Sequence, residues 1–210
     1  MLMEIIHSDI DNYLRSLIPQ RDPVLEEMEL IGKERGFPII GPLVGRLLCQ
    51  FALLTQARRI FELGSGYGYS AIWFSKGMRP DGKIICTDGA ADNARQAAGF
   101  FERAGIRKSV DYRIGDALSL LEQEPGPFDV ILNDIDKHEY PEAFKKALPR
   151  LRSGGLLITD NTLWYGRVVT GDKEPSTLGI LEYNRLAYKS TEVFTTLIPL
   201  RDGVTVSMKL

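Results

Sequence analysis

The stretch Ile60-Phe61-Glu62-Leu63-Gly64-Ser65-Gly66-Tyr67-Gly68-Tyr69-Ser70 constrains this chain more than any other. An apolar run passes into a turn with glycine at every second position and then into a helix-forming segment, the layout of a strand–turn–helix unit at a nucleotide site. Glycine accepts the positive φ that such a turn demands and lets a ligand approach the backbone. A dinucleotide fingerprint, G-x-G-x-x-G, would require glycine at 69, and Tyr69 stands there, which weakens a nicotinamide reading without removing it. A glycine cluster by itself also suits an ordinary tight turn.

Strand and helix alternate beyond this point. Strands are expected at Arg58–Leu63, Lys83–Asp88, Val110–Ile114, Phe128–Asn133 and Leu156–Thr159, with helices at Tyr69–Met78, Asp92–Ala104, Leu118–Glu122 and Tyr140–Arg152. Continuous apolar runs such as Val130-Ile131-Leu132 and Leu156-Leu157-Ile158 suit strands buried on both faces of a parallel sheet. The C-terminus breaks the rhythm. After a helix at Leu178–Tyr188 come strands Val193–Leu200 and Val204–Lys209, joined only by Arg201-Asp202-Gly203. So short a link permits only an antiparallel hairpin. The expected fold is therefore a doubly wound, Rossmann-like α/β sheet, mostly parallel, with an antiparallel C-terminal hairpin strand of the kind found in S-adenosylmethionine (SAM) dependent methyltransferases. N-terminal helices at 4–18, Pro23–Arg35 and Pro42–Leu54 precede it. One domain spans 1–210, the helices occupying 1–54 and the core 58–210.

Carboxylates gather at the strand ends. Asp88 closes the second strand 20 residues after Gly68, where a Rossmann-type fold places the acid that accepts the ribose hydroxyls. Gly115-Asp116-Ala117 closes the third strand and offers a side chain and an amide for an adenine edge. Glu62 adds a further acid to the rim, and Gly64, Ser65, Gly66, Tyr67 and Ser70 supply the loop around the ligand. So acidic a pocket suits the cationic, adenosine-bearing SAM better than a pyrophosphate. Asp134 and Asp160 end two more strands on that rim. With the amide oxygen of Asn161 they make three hard oxygen ligands, which leaves about three positions of an octahedral Mg²⁺ for water and substrate. Each also has a plain role available, as a helix cap or a turn residue.

Glu62 to Ser70, then Asp134-Ile135-Asp136-Lys137, then Asp160-Asn161-Thr162-Leu163-Trp164-Tyr165-Gly166-Arg167-Val168 together resemble the cation-dependent O-methyltransferase family of catechol and caffeoyl-CoA O-methyltransferases, over most of the chain from about Tyr13. The resemblance implies SAM as methyl donor, a divalent cation at Asp134, Asp160 and Asn161, Lys137 as general base, a hydroxylated aromatic small molecule as acceptor, and a homodimer. Asp136 is expected to orient Lys137, and His138 to be a solvated residue at a helix start. Asn133 departs from the family, which has an apolar residue there, as does Gly89-Ala90-Ala91 after Asp88. Both leave the acceptor open, and an NAD-dependent oxidoreductase or a metal-independent SAM-binding methyltransferase remain as alternatives.

Composition narrows the partners. With 26 basic and 28 acidic residues among 210 the formal net charge is −2, which gives no electrostatic footprint for nucleic acid or a membrane surface. Cys49 and Cys86 are the only cysteines and lack metal-ligand spacing. No apolar run approaches the ~20 residues needed to cross a bilayer. The N-terminal stretch from Met1 lacks the basic and apolar regions of a secretion signal. A cytoplasmic location is the expectation.

Overall fold

The computed structural model describes residues 4–210; Met1 to Met3, at the start of the N-terminal reading, lie outside them. Seven strands, β1 (Arg59–Leu63), β2 (Lys83–Asp88), β3 (Val110–Ile114), β4 (Phe128–Asn133), β5 (Leu151–Thr159), β6 (Val193–Ile198) and β7 (Val204–Lys209), form one sheet in the order β3-β2-β1-β4-β5-β7-β6. β3 to β5 pair in parallel, whereas β7 runs antiparallel to both β5 and β6. The strand order reverses between β1 and β4, and a crevice opens at such a switch point beyond the carboxyl ends of the strands.

Side-chain alternation explains the apolar runs. Ile60, Val130, Leu132, Leu156 and Ile158 face one core, while Phe61, Leu63, Ile131 and Leu157 face the other. The first core lies under helices α2 (Pro23–Arg35), α3 (Gly41–Leu54), α4 (Tyr69–Gly77) and α5 (Ala91–Arg103); the second lies under α6 (Ala117–Glu122), α7 (Tyr140–Ala147) and α8 (Pro175–Lys189). The boundaries of α2 follow from its sequence. Asp22 accepts a 3.0 Å hydrogen bond from the Val24 amide, Pro23 sits in the first turn, and Gly36 closes the helix at φ 62°, where only glycine avoids strain.

Several element boundaries differ from expectation; β5, for one, begins at Leu151 rather than Leu156. Helix α1 covers Ser8–Ser16 rather than 4–18, because His7 takes a non-helical conformation and its ring accepts from the Asp9 amide. α7 ends at Ala147 rather than Arg152: Pro149 has no N–H to continue the ladder, and a short 3₁₀ turn at Leu148–Arg150 delivers Leu151 to its partner Phe128. α8 begins at Pro175, before Leu178, and the residues between β5 and α8 include a kinked 3₁₀ segment at Trp164–Val169.

Candidate active site

A cleft of about 640 Å³ opens at the C-terminal ends of β1, β2, β4 and β5 and is walled by the glycine loop on one side and by Trp164, Tyr165 and Arg201 on the other. At its floor Gly64 has φ 82°, and an added Cβ would overlap the Asp134 carbonyl. The glycine thus serves both the turn and the close passage of β1 past β4. Asp88 accepts from the Gly66 amide at 3.1 Å through Oδ2 and from the Ala90 amide at 2.7 Å through Oδ1. It borders the cleft and ties the glycine loop to the β2 end. Asp116 caps α6 by accepting from the Ser119 amide at 2.8 Å, and the Ser119 hydroxyl together with that amide holds its carboxyl below the usual range. Beside it Gly115 and Ala117 line the cleft, and Ala117 carries one of the first-turn N–H groups that a helix leaves without an internal partner.

The side chains of two of the expected cofactor residues point away from the cleft surface. Glu62 is fully enclosed and does not reach the cleft surface. Burial pushes its carboxyl up to about 7, against the opposing pull of Ser65, Ser70 and Cys86. Its Oε2 accepts from the Cys86 thiol at 3.4 Å and its Oε1 has no partner. The reading of Glu62 as a rim carboxylate is therefore corrected: its side chain lies behind the glycine loop, because strand alternation turns it into the protein. Tyr67 contributes backbone to the cleft, but its ring is buried between Phe37 and Phe100 and its hydroxyl donates to the Met28 carbonyl at 2.9 Å. It fastens α2 over the loop. The Ser65 hydroxyl accepts from the Thr87 amide at 3.2 Å, and Ser70 is buried in the first turn of α4 while still bordering the cleft.

The second half of the site is set by sheet register. Asn133 pairs with Thr159, and the Asp160 amide donates to the Asn133 carbonyl at 3.2 Å, so the residues that follow, Asp134 and Asp160, leave the sheet side by side. Asp160 is buried, and its Oδ1 has no hydrogen-bond partner. Burial raises its carboxyl to about 6; Arg201 opposes that rise and the Asp134 charge adds to it. Asp134 Oδ1 accepts from Lys137 Nζ at 2.8 Å, and among the described residues nothing donates to its Oδ2. Asn161, at φ 57°, donates through Nδ2 to Asp202 Oδ2 at 3.4 Å, which leaves its amide oxygen as a free acceptor. Asp202 is itself buried, with its carboxyl raised chiefly by desolvation, and its Oδ1 also accepts from the Tyr165 amide.

These three oxygens fit a hard cation. Two adjacent carboxylates repel each other, and one buried oxygen lacks any donor, which is a costly arrangement unless positive charge completes it. Among the described residues no group of three His, Cys, Asp or Glu side chains gathers as a metal cluster; the third oxygen of this set belongs to an amide.

Lys137 Nζ donates to Asp134 Oδ1 and to the Ile135 carbonyl at 3.2 Å, and lies 5.3 Å from the Tyr140 ring centre and 5.9 Å from that of Trp164. Asp136 is exposed and makes no bond to it, so Asp134 rather than Asp136 orients the lysine. His138 is exposed, as expected. Behind Lys137, Gly179 of α8 approaches its carbonyl so closely that a Cβ would collide. Sequence reasoning passed over Arg201 and Asp202, which it read only as a hairpin link. The signal available was two charged residues in a three-residue turn of a sheet whose loops on that side form the cleft.

A parallel sheet with a reversed last strand and an acid-bordered glycine cleft at its switch point defines the methyltransferase class of Rossmann-like enzymes. Residues 24–210 match the O-methyltransferase family model, and the chain belongs to that family. It is 33% identical over 202 residues to a catechol O-methyltransferase of Niastella koreensis, covering 93% of this chain and 91% of that protein. It is 29% identical to a caffeoyl-CoA O-methyltransferase of Eucalyptus globulus, covering 79% and 72%. The O-methyltransferase TomG from Streptomyces achromogenes, solved in complex with SAM, superposes with a TM-score of 0.87 at 30% identity, over 96% of each chain. This chain is a SAM-dependent O-methyltransferase.

Proposed function

We propose that this enzyme methylates one hydroxyl of a vicinal diphenol, of the catechol or hydroxycinnamoyl kind, with a divalent cation such as Mg²⁺ held by Asp134, Asp160 and Asn161. The observation that carries the reading is the buried, partnerless Oδ1 of Asp160 beside the Asp134 carboxylate. A divalent cation bound there would chelate both hydroxyls and favour ionisation of one of them. Lys137 is the residue that receives the proton. Its Nζ stands 2.8 Å from Asp134 Oδ1 and 3.2 Å from the Ile135 carbonyl, which fixes it at the cleft beside the two carboxylates. Trp164 and Tyr165 give the acceptor ring an aromatic wall. The glycine loop, Asp88 and the Gly115–Ala117 turn hold the methyl donor.

The test is transfer of a labelled methyl group from SAM to a panel of vicinal diphenols and matched monophenols, with Mg²⁺ and with chelator. Transfer to the diphenols that chelation abolishes is the expected result; equal transfer in chelator would overturn the cation's part. One observation favours a second reading. The Arg201 guanidinium lies 2.8 Å from Asp160 Oδ2, and if it alone neutralises that carboxylate the enzyme would work without metal.

We also propose a cytoplasmic homodimer. Ile10, Tyr13 and Leu17 of the α1 region are exposed, as are Leu53 and Leu54 at the end of α3, which packs against α1, and exposed apolar side chains on two adjoining helices support an interface. No helix among the described residues is long and apolar enough to cross a membrane. Light scattering at micromolar concentration should give twice the chain mass, and Tyr13→Glu should shift it to the monomer. A wild-type monomer would refute the assembly.

A further inference from the structure

Arg201 sits in the turn between β6 and β7 at φ 54°, a left-handed conformation that glycine adopts without strain and arginine does not. Of the five non-glycine residues with positive φ among the described residues, four, namely Asn161, Trp164, Tyr165 and Arg201, border this one side of the cleft. Backbone strain of this kind persists where the surrounding structure enforces it, and it clusters at ligand sites. Both of its protein hydrogen bonds come from a single nitrogen: Nη1 donates to Asp160 Oδ2 at 2.8 Å and to the Ile40 carbonyl at 3.2 Å. Among the described residues Nε and Nη2 donate to nothing. Three of the five N–H groups of the guanidinium are therefore free, and the side chain, 23% exposed, borders the cleft.

The charges around it sharpen the point. Six carboxylates line the cleft against two cations, Lys137 and Arg201. Lys137 is engaged with Asp134. An anionic acceptor entering this cleft meets repulsion everywhere except at the open edge of Arg201, where a carboxylate finds the two-pronged geometry that guanidinium groups bind best.

We propose that Arg201 is a specificity-determining residue that receives a carboxylate on the acceptor, so that the preferred substrates are vicinal diphenols bearing an acidic group. This rests on the methyl-transfer reading of the same cleft. The test is calorimetric titration of the full chain, saturated with S-adenosylhomocysteine in the presence of Mg²⁺, with 3,4-dihydroxybenzoate and with catechol. Wild type should bind the carboxylate-bearing diphenol at least about tenfold more tightly, the scale of a charge-assisted hydrogen bond. In Arg201→Gly, whose glycine accepts the turn without strain, that ratio should fall to about one, and Arg201→Lys should retain part of it. Equal wild-type affinities would overturn the assignment, whatever the variants do. So would an Arg201→Gly variant that weakens both ligands by one common factor, since Arg201 would then act only through Asp160. Failure of wild type to bind S-adenosylhomocysteine would instead refute the methyl-transfer reading beneath it.

Discussion

Replacing Lys137 by methionine should lower the methyl-transfer rate by ~10² to 10⁴ at neutral pH, the usual worth of a positioned general base. Methionine keeps most of the side-chain length and the packing against Tyr140 and Trp164, whose ring centres lie 5.3 and 5.9 Å from the ammonium. It removes the proton acceptor and the bond to Asp134. The rate should recover in part as pH approaches the acceptor's own ionisation, near 10 for an unactivated phenol, because the hydroxyl then loses its proton to solvent. SAM affinity is the control: the cofactor half of the cleft is built on β1, β2 and β3 ends, and calorimetry should find it within a few-fold of wild type. Single-turnover rates across pH 6 to 10, for variant and wild type, make the measurement. An undiminished rate at neutral pH would remove Lys137 from the chemistry.

The parts of this site that could be read in the sequence are those written in local pattern. Glycines 64, 66 and 68 mark a turn because glycine takes up positive φ without the strain a side chain adds, and Asp134 and Asp160 reveal themselves because each follows an apolar run that suits a buried strand. Parallel pairing of β4 with β5 then brings the two together, since equal offsets from Asn133 and Thr159 become neighbours in space. The topology was legible for the same reason, with a connection too short for a crossover fixing the reversed strand.

What escaped the sequence is tertiary. Whether Glu62 faces the cleft or the interior depends on which way strand alternation points at the last turn of β1, and the structure encloses it. Tyr67 lies in the loop, but its hydroxyl finds the Met28 carbonyl of α2, 39 positions away in sequence. Arg201 reaches Asp160 across 41, and no periodicity announces such a contact. The ends of α1 and α7 were decided by a histidine cap and by Pro149, both weaker signals than the apolar periodicity that ran past them.

Asp160→Asn should abolish cation-stimulated transfer, with residual activity no greater than that of wild type in chelator, while SAM affinity changes by less than about threefold. Asparagine preserves the shape and still offers Arg201 an acceptor oxygen for the 2.8 Å bond, so the guanidinium is not stranded; truncation to alanine would strand it, and removing one partner of a buried charged pair leaves the other uncompensated at high cost. What asparagine cannot do is supply the anionic oxygen that now lies buried without a donor. Removing that charge leaves Asp134 and a pair of amides facing Lys137 and Arg201, a set too poor in negative charge to hold a divalent cation against water. The buried carboxyl stands at about 6 through desolvation and the neighbouring Asp134 charge. In wild type, therefore, cation binding should weaken as pH falls through that value, because protons and cation compete for one oxygen. In the variant this pH dependence should vanish along with the binding. Titration of Mn²⁺ followed by water-proton relaxation, at pH 5 and pH 8, separates the two without relying on turnover. Tight, pH-independent Mn²⁺ binding by Asp160→Asn would show that the cation sits elsewhere, and wild-type transfer that persists in chelator would leave Arg201 as the charge that balances Asp160.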